Sequence, residues 1–445
     1  MQRIEAKWLA ELLEGRNAKG IAVETARLIR TGKIPVGARL PALRELAFFL
    51  GISPATLSGA WAELRRQKVI SGRGRNGTLI TGKTIGKAPA RTGRMGHYTS
   101  DALDLSFAVP DPALLPDLTE ALRTAAQSAS LNSYQRSRIE PALEEALRAR
   151  WPYGYEALLA TNGGYNAVYA TVHALVQPGD LVACEEPTAI RLLDIIEDAG
   201  AKIIPVACDD HGPLPASLSE ALSLKPVLFV YQPRTHSVTG RHVTPERLGT
   251  LGDLLSSSNV LILEDDGLGD ISAYPSQSLG SRFPERVIHV QSFSKTYGPD
   301  LRLAVMSAPD EIVEKVQSYR LFSAGWTSRL LQNVAASLLS SERTAREVDM
   351  AREVYKQRRT ALIDALEKHG IEAFRGDGLC IWLEVPSEAY AMVTLAAHKI
   401  AVLPGAKCFL DGGGFIRIGT SMLDRKYDEV SHAIALASRS PGQLL

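Results

Sequence analysis

Two folds in series are predicted for this 445-residue chain: a small, mostly helical head and a larger α/β body. Three observations carry the prediction. Charge is segregated, because residues 1–98 hold 18 Lys or Arg against six Glu and no Asp, an excess of +12, while the remainder carries −11. Apolar residues in the front recur at helical spacing and end in two short strand-like runs. Farther on, short apolar runs alternate with amphipathic stretches, the rhythm of a mostly parallel sheet with helices between its strands.

In the head, Ile21, Leu28 and Ile29 lie on one face of a first helix. Pro41 is expected in the first turn of a second, ALRELAFFL, which Gly51 stops. Ser53 caps a third by taking an orphan backbone N–H, Pro54 suits its first position, and Leu57, Trp61 and Leu64 turn inward. Ala55, Thr56, Ser58 and Gly59 are left outward, small enough to approach base edges in a major groove. Val69-Ile70 and Thr78-Leu79-Ile80 then flank SGRGRNG, with Asn76-Gly77 suited to a hairpin turn. A helix-turn-helix followed by a basic hairpin is a winged helix; the bland alternative is a three-helix module that binds protein. The run TGKIPVGARLPALRELAFFLGISPATLSGAWAELRRQKVISGRGRNGTLIT resembles the GntR-type winged helix along its whole length. The resemblance implies DNA contacts by Arg39, Arg44, Thr56, Arg73 and Arg75. It departs at Pro54, where the family usually has arginine.

The expected boundaries are 1–81 for the head, 82–104 for a basic flexible linker, GKTIGKAPARTGRMGHYTSDALD, and 105–445 for the body. In the body LVACEEP, AKIIPVA, PVLFVYQP, VLILEDD and RVIHVQS read as buried strands ending in polar groups, with helices in YNAVYATVHALV and AIRLLDIIEDAG. Composition is that of an ordinary globular chain, 45% hydrophobic and 22% charged. No apolar run approaches the roughly 18 to 20 residues that span a bilayer, and MQRIEAKWLA mixes acids with bases, so a cytoplasmic protein without membrane contact is expected. Cys184, Cys208, Cys380 and Cys408 lack C-x-x-C spacing and are expected as buried free thiols, with neither disulfide nor metal site.

Ligands of such sheets gather at the carboxyl ends of the strands, and the reactive residues sit there. TNGG (161–164) can offer free backbone N–H groups to a phosphate at a helix start. Ser292 and Arg302 in SFSKTYGPDLRLA add a hydroxyl and a guanidinium. Lys295 supplies an amine for a Schiff base, and Asp265 an acid to keep a pyridine nitrogen protonated. Singly each is weak: a surface lysine, a helix cap, a turn. Together with QPRTHSVTG and LILEDD they resemble the fold-type-I aminotransferases, over about residues 105–445. That resemblance implies pyridoxal 5'-phosphate as cofactor, a Schiff base on Lys295 and a ring-nitrogen partner in Asp265. It implies a phosphate cup of Gly163, Gly164, Ser292 and Arg302, with Ser237 and Tyr165 as further cofactor contacts. Arg417 in GGFIRIGTS resembles the arginine that receives an effector or substrate carboxylate, and VDMAREVYKQRRTAL the helix that follows the active site. The expected fold class is a winged helix-turn-helix plus an α/β fold-type-I aminotransferase-like domain with a small C-terminal α+β subdomain, the architecture of MocR-type regulators.

Departures from the pattern weigh on turnover. Gly267, Leu268 and Gly269 follow LILEDD where a tyrosine is usual, Ser237-Val238 replaces Asn-Pro or Tyr-Pro, and Ala189 stands where a stacking aromatic is expected. Tyr165, Tyr231, Tyr297 and Trp326 are the candidate substitutes. Each lost support removes roughly 0.5 to 1.5 kcal/mol, which weakens binding more gently than it weakens proton transfers that need one fixed geometry. The expectation is a bacterial transcriptional regulator that senses pyridoxal phosphate, alone or with an amine or amino acid, and controls vitamin B6 or amino-compound metabolism. A working aminotransferase with a fused DNA-binding head, and a regulator with a dead cofactor site, are the alternatives. A homodimer on a double-stranded operator is expected, since one winged helix needs a second half-site for specificity.

Overall fold

Backbone capping sets the helices of the first unit, Met1–Ala88: α1 (Ala6–Glu11), α2 (Ala18–Arg30), α3 (Leu43–Leu50) and α4 (Pro54–Arg66). The computed structural model describes residues 4–67, 69–72, 77–81, 89, 91–92 and 102–439. Asn17 caps α2 by accepting from the Gly20 N–H. Ser53 caps α4 by accepting from the Thr56 N–H at 3.0 Å, with Pro54 in the first position. Gly51 ends α3 at a φ of 65°, the left-handed conformation that glycine takes without steric cost. Leu57, Trp61 and Leu64 are buried as their spacing requires, each worth roughly 1.5 to 3 kcal/mol. Pro41 is a correction: the cap of α3 falls at Ala42, whose ψ of 135° is extended, and Pro41 is buried ahead of the helix rather than in its first turn. α1 adds to the predicted set; six residues are too few to show a helical period, and it is held by burial of Leu9.

Two antiparallel strands follow, β1 (Ile70–Ser71) and β2 (Leu79–Ile80), with Ile70 opposite Ile80. Segment 38–40 lies on the other side of β2, joined by Leu40 N to Thr78 O and Ile80 N to Ala38 O, each 2.9 Å.

The second unit, Pro89–Leu445, runs through β3 (Leu103–Asp104), β4 (Ala157–Thr161), β5 (Leu181–Glu186), β6 (Lys202–Asp209), β7 (Gly212–Pro213), β8 (Leu228–Tyr231), β9 (Leu261–Asp266), β10 (Val287–Ser292) and β11 (Ala304–Ala308). After these come β12 (Cys380–Glu384), β13 (Ile400–Ala401), β14 (Leu403–Pro404) and β15 (Phe415–Gly419). The main sheet has the order β4-β11-β10-β9-β8-β5-β6-β7. Strands β10, β9, β8, β5 and β6 are parallel, and β11 is antiparallel to both β10 and β4. All five predicted strands are present. Buried apolar side chains line both faces, Val182, Leu228 and Leu263 in one cluster and Ala183, Phe229 and Ile262 in another, which explains why these strands read as continuous apolar runs. A smaller sheet, β12-β15-β14, packs with the helices Glu388–Ala397 and Tyr427–Ala437.

The predicted linker needs a correction in its described part. Arg91 N and Thr92 N each donate to the Asp194 carboxylate at 3.0 Å, and β3 pairs in parallel with β13. An alternation too short to read in sequence is supplied by partners some 100 and 300 residues away.

Candidate functional site

Register brings the site together. Ala304 pairs with Ser292 on one side and with Thr161 on the other, so the loops after β10 and β4 leave the sheet on either side of β11. Gly163, at a φ of 96°, precedes the helix Gly164–Leu175. A Cβ on Gly163 would lie 3.4 Å from the Arg302 guanidinium; one on Gly164 would lie 3.1 Å from Ser292 Cβ and 4.0 Å from Asp265 Oδ1. The chain leaves a cradle there that a side chain would fill. Among the described residues the N–H groups of Gly164 and Tyr165 donate to no protein acceptor, as the first positions of a helix require, and the positive end of the helix faces the cradle. Arg302 holds a left-handed φ of 45°, uncommon for a side chain larger than glycine, and its Nη2 donates to Asn162 O at 3.2 Å.

Three consecutive acids end β9 and have different partners, because side chains alternate along a strand. Glu264 accepts from Tyr231 Oη at 2.7 Å and from Leu279 N at 2.8 Å, and lies 2.9 Å from His289 Nδ1. Asp266 accepts from Gly269 N at 3.0 Å and Arg234 Nη1 at 3.3 Å. Asp265 points the other way, is 5% exposed, and has no hydrogen-bond donor among the described residues. Burial, then Asp266 and Glu185, push its pKa up to about 7, against a smaller opposing pull from His289. A buried carboxyl without an internal donor suits a cationic N–H brought by a ligand.

Lys295 follows β10, half-buried, with Nζ donating to Ala108 O at 2.7 Å. Burial, and then Arg417, lower its pKa to about 8; Arg191 acts in the same sense and Cys380 in the opposite one. Ser237 is half-buried; its carbonyl lies 3.6 Å from the Cys380 thiol, and its N–H donates to Gln232 Oε1 at 2.8 Å. Arg417 Nη2 donates to Ser106 O at 2.9 Å, while its buried Nε has no acceptor. Tyr165 stands at the edge of the cradle, its hydroxyl pKa raised by burial and by Asp265. The residues present fit pyridoxal phosphate: a glycine cradle with hydroxyl and guanidinium, an acid that is buried and unpaired among the described residues, and an amine that gives up its proton more readily than an ordinary lysine.

Two of the proposed aromatic substitutes fall away. Tyr231 is fully buried with its hydroxyl committed to Glu264, and Tyr297 donates to Asp270 Oδ2 at 3.2 Å. Trp326 lies edge-on to Tyr134 at 6.0 Å. Arg320 and Arg191 were not singled out by sequence, and neither lies in a motif. Arg320, 2% exposed, donates to Ala160 O at 2.8 Å, Asn162 Oδ1 at 3.1 Å and Thr327 Oγ1 at 2.8 Å, and burial lowers its pKa to about 10.

In the head, Arg39 and Arg44 are exposed and make no ion pair among the described residues. Ala55, Ser58 and Gly59 are exposed as expected. Thr56 is half-buried and its hydroxyl lies 2.8 Å from Ser53 Oγ, so it serves the cap first. Arg73 and Arg75 lie outside the described residues. The four cysteines are free, Cys208 half-buried and the others buried. Among the described residues no helix is long and apolar enough to cross a membrane, and no cluster of His, Cys, Asp or Glu is placed to hold a metal.

Residues 100–434 match the family Aminotransferase class I and II, and residues 17–80 match Bacterial regulatory proteins, gntR family. Members of the first family typically bind pyridoxal phosphate, and the second implies DNA binding. The vitamin B6 salvage pathway transcriptional repressor PtsJ of Salmonella typhimurium is 29% identical over 402 residues, 88% of this chain and 91% of the relative. The HTH-type transcriptional regulator TauR of Rhodobacter capsulatus is 28% identical, covering 86% and 87%. In fold, an aromatic aminotransferase from Pyrococcus horikoshii superposes with a TM-score of 0.68 at 21% identity, over 76% of this chain and 95% of the other. The chain belongs to the aminotransferase class I and II family and carries a gntR-family regulatory domain ahead of it.

Proposed function

We propose that this protein is a DNA-binding transcriptional regulator whose aminotransferase-like body senses pyridoxal 5'-phosphate, alone or with an amine or amino acid. The observation that carries the reading is Asp265: a buried acid unpaired among the described residues, beside a glycine cradle, in a body joined to a gntR-family head. Bound there, pyridoxal phosphate supplies an aldehyde that condenses with amines and a ring that draws electrons. Gly164, Ser292 and Arg302 would hold the phosphate through backbone N–H, hydroxyl and guanidinium groups, while Gly163, whose own N–H donates to Thr161 O at 2.9 Å, leaves room for it. Asp265 would hold the proton on the ring nitrogen. Lys295, whose pKa burial lowers to about 8, would present its amine to the aldehyde. Ser237 and Tyr165 would border the ring, and Arg417 would receive a carboxylate of the effector.

Sensing is favoured over turnover because Tyr231 and Tyr297, two candidates to replace the trimmed ring supports, have their hydroxyls committed elsewhere. The retained Lys295, Asp265, Arg302 and Arg417 support the second reading, a working aminotransferase; keto-acid-dependent turnover above the rate of free pyridoxal phosphate would establish it. Arg39, Arg44 and the start of α4 make the DNA contacts, on a homodimer that places two heads on two half-sites. Control of vitamin B6 metabolism is the favoured role, since the relative of Salmonella is named for it.

The test is visible absorption during titration with pyridoxal phosphate, in wild type and Lys295→Ala, followed by operator binding with and without the cofactor. A band that needs Lys295, together with changed operator affinity, is expected. No band in either protein would discard the cofactor reading; a band with unchanged operator affinity would discard sensing.

A further inference from the structure

Two buried side chains, Gln232 and His236, hold three consecutive backbone N–H groups of the segment that carries Ser237. Gln232 Oε1 accepts from Ser237 N at 2.8 Å. His236 Nδ1 accepts from Val238 N at 3.3 Å and from Thr239 N at 3.1 Å. The backbone of His236 closes the same turn, its N–H donating to Arg241 O at 2.7 Å and its carbonyl accepting from Gly240 N at 2.9 Å. Gln232 is 1% exposed and His236 7%.

A polar side chain that accepts from amides two and three residues on is ordinary turn closure; the residue at 238 and the orientation of the ring set this one apart. Val238 is fully buried, so its N–H needs an internal acceptor. A proline there, usual in the pattern from which QPRTHSVTG departs, would carry no N–H and a fixed φ. With valine the backbone lacks that stiffness, and the imidazole supplies the constraint from outside it. Because Nδ1 accepts, the proton of the neutral ring lies on Nε2, which is 3.3 Å from Glu185 Oε1 at the end of β5. The ring is thus tied to the main sheet on one side and to the segment on the other. A cavity of about 30 Å³ borders Glu185, Gln232 and His236, so hydrogen bonds rather than close packing fix that side of the brace.

We propose that His236, together with Gln232, positions Ser237 for its contact with the cofactor ring, in place of the stiffness that a proline at 238 would give. His236 acts through the backbone of residues 237–239 and is a positioning residue. This rests on the cofactor reading above.

The test uses the full chain as wild type, His236→Leu, His236→Asn, and His236→Leu combined with Val238→Pro. Each is titrated with pyridoxal phosphate by visible absorption, and amide hydrogen exchange is read on the cofactor-free proteins. His236→Leu is expected to weaken pyridoxal phosphate roughly tenfold, since two buried N–H groups lose their acceptor. Exchange should quicken at Val238 and Thr239 while the main sheet stays protected. His236→Asn, which keeps an acceptor on a shorter side chain, should recover part of the affinity. The double variant should also recover part of it, because proline brings no N–H to satisfy and fixes φ. Unchanged affinity in His236→Leu, or a loss that neither asparagine nor proline relieves, would overturn the proposal and leave His236 as packing. No band dependent on Lys295 in wild type would overturn the cofactor reading and this inference with it; a normal band, with exchange at Val238 and Thr239 unaltered by His236→Leu, would overturn the brace alone.

Discussion

At the scale of the residue, the pattern Glu264-Asp265-Asp266 shows how one strand distributes three identical charges. Glu264 and Asp266 are tied to internal donors, and Asp265 is kept free at the cradle. That freedom is costly to an empty protein. The folded-state pKa of about 7 lies above the ordinary 3.8, so stability declines as pH rises past about 4 and the whole cost is present above about 7. A displacement of that size corresponds to at most roughly 4 kcal/mol. Asp265→Asn is therefore expected to raise the Tm of the cofactor-free protein at pH 8, to change it little near pH 4, and to weaken pyridoxal phosphate binding. Melting curves at the two pH values and a spectroscopic titration check this; a lower Tm at pH 8 would contradict it. The motif LILEDD was legible in sequence, and with it the candidate acid. That the tyrosines Tyr231 and Tyr297 were spoken for was not, because their acceptors Glu264 and Asp270 lie across the fold.

Among the elements, the segment joining β4 to the helix Gly164–Leu175 is braced from behind by Arg320, the last residue of the helix Asp310–Arg320. Asn162 links the two sides: its side chain accepts from Arg320, and its carbonyl accepts from Arg302. A buried guanidinium without a carboxylate among the described residues leaves positive charge close behind the cradle, where a phosphate would offset it. If the proposed cofactor binds there, Arg320 would act as a positioning residue for its phosphate. Arg320→Gln should lower affinity for pyridoxal phosphate by roughly tenfold and for unphosphorylated pyridoxal by much less. Equal losses for the two would mark Arg320 as packing alone. Elements with local causes were readable from sequence, as the Ser53 cap and the Gly51 stop show. β11, antiparallel in an otherwise largely parallel run, was not; its place is set by its pairings with β10 and β4.

For the molecule as a whole, the excess of +12 within residues 1–98 predicts binding to a polyanion by counterion release. Replacing both Arg39 and Arg44 by Ala should weaken operator binding and make the slope of log affinity against log salt shallower by about two, one per lost phosphate contact. Anisotropy titrations at several salt concentrations read that slope; an unchanged slope would remove these two arginines from the DNA face. Charge segregation, capping residues and the alternation of apolar runs are local properties, so sequence alone established a basic winged-helix head and an α/β body, and pointed to candidate residues for its site. Which acid stays unpaired, which tyrosines are committed and which uncalled arginines stand behind and beside the cradle were decided only by tertiary structure. The reason is physical: a side chain's charge state and availability depend on partners supplied by other strands and helices, and those pairings exist only once the sheet has assembled in one register.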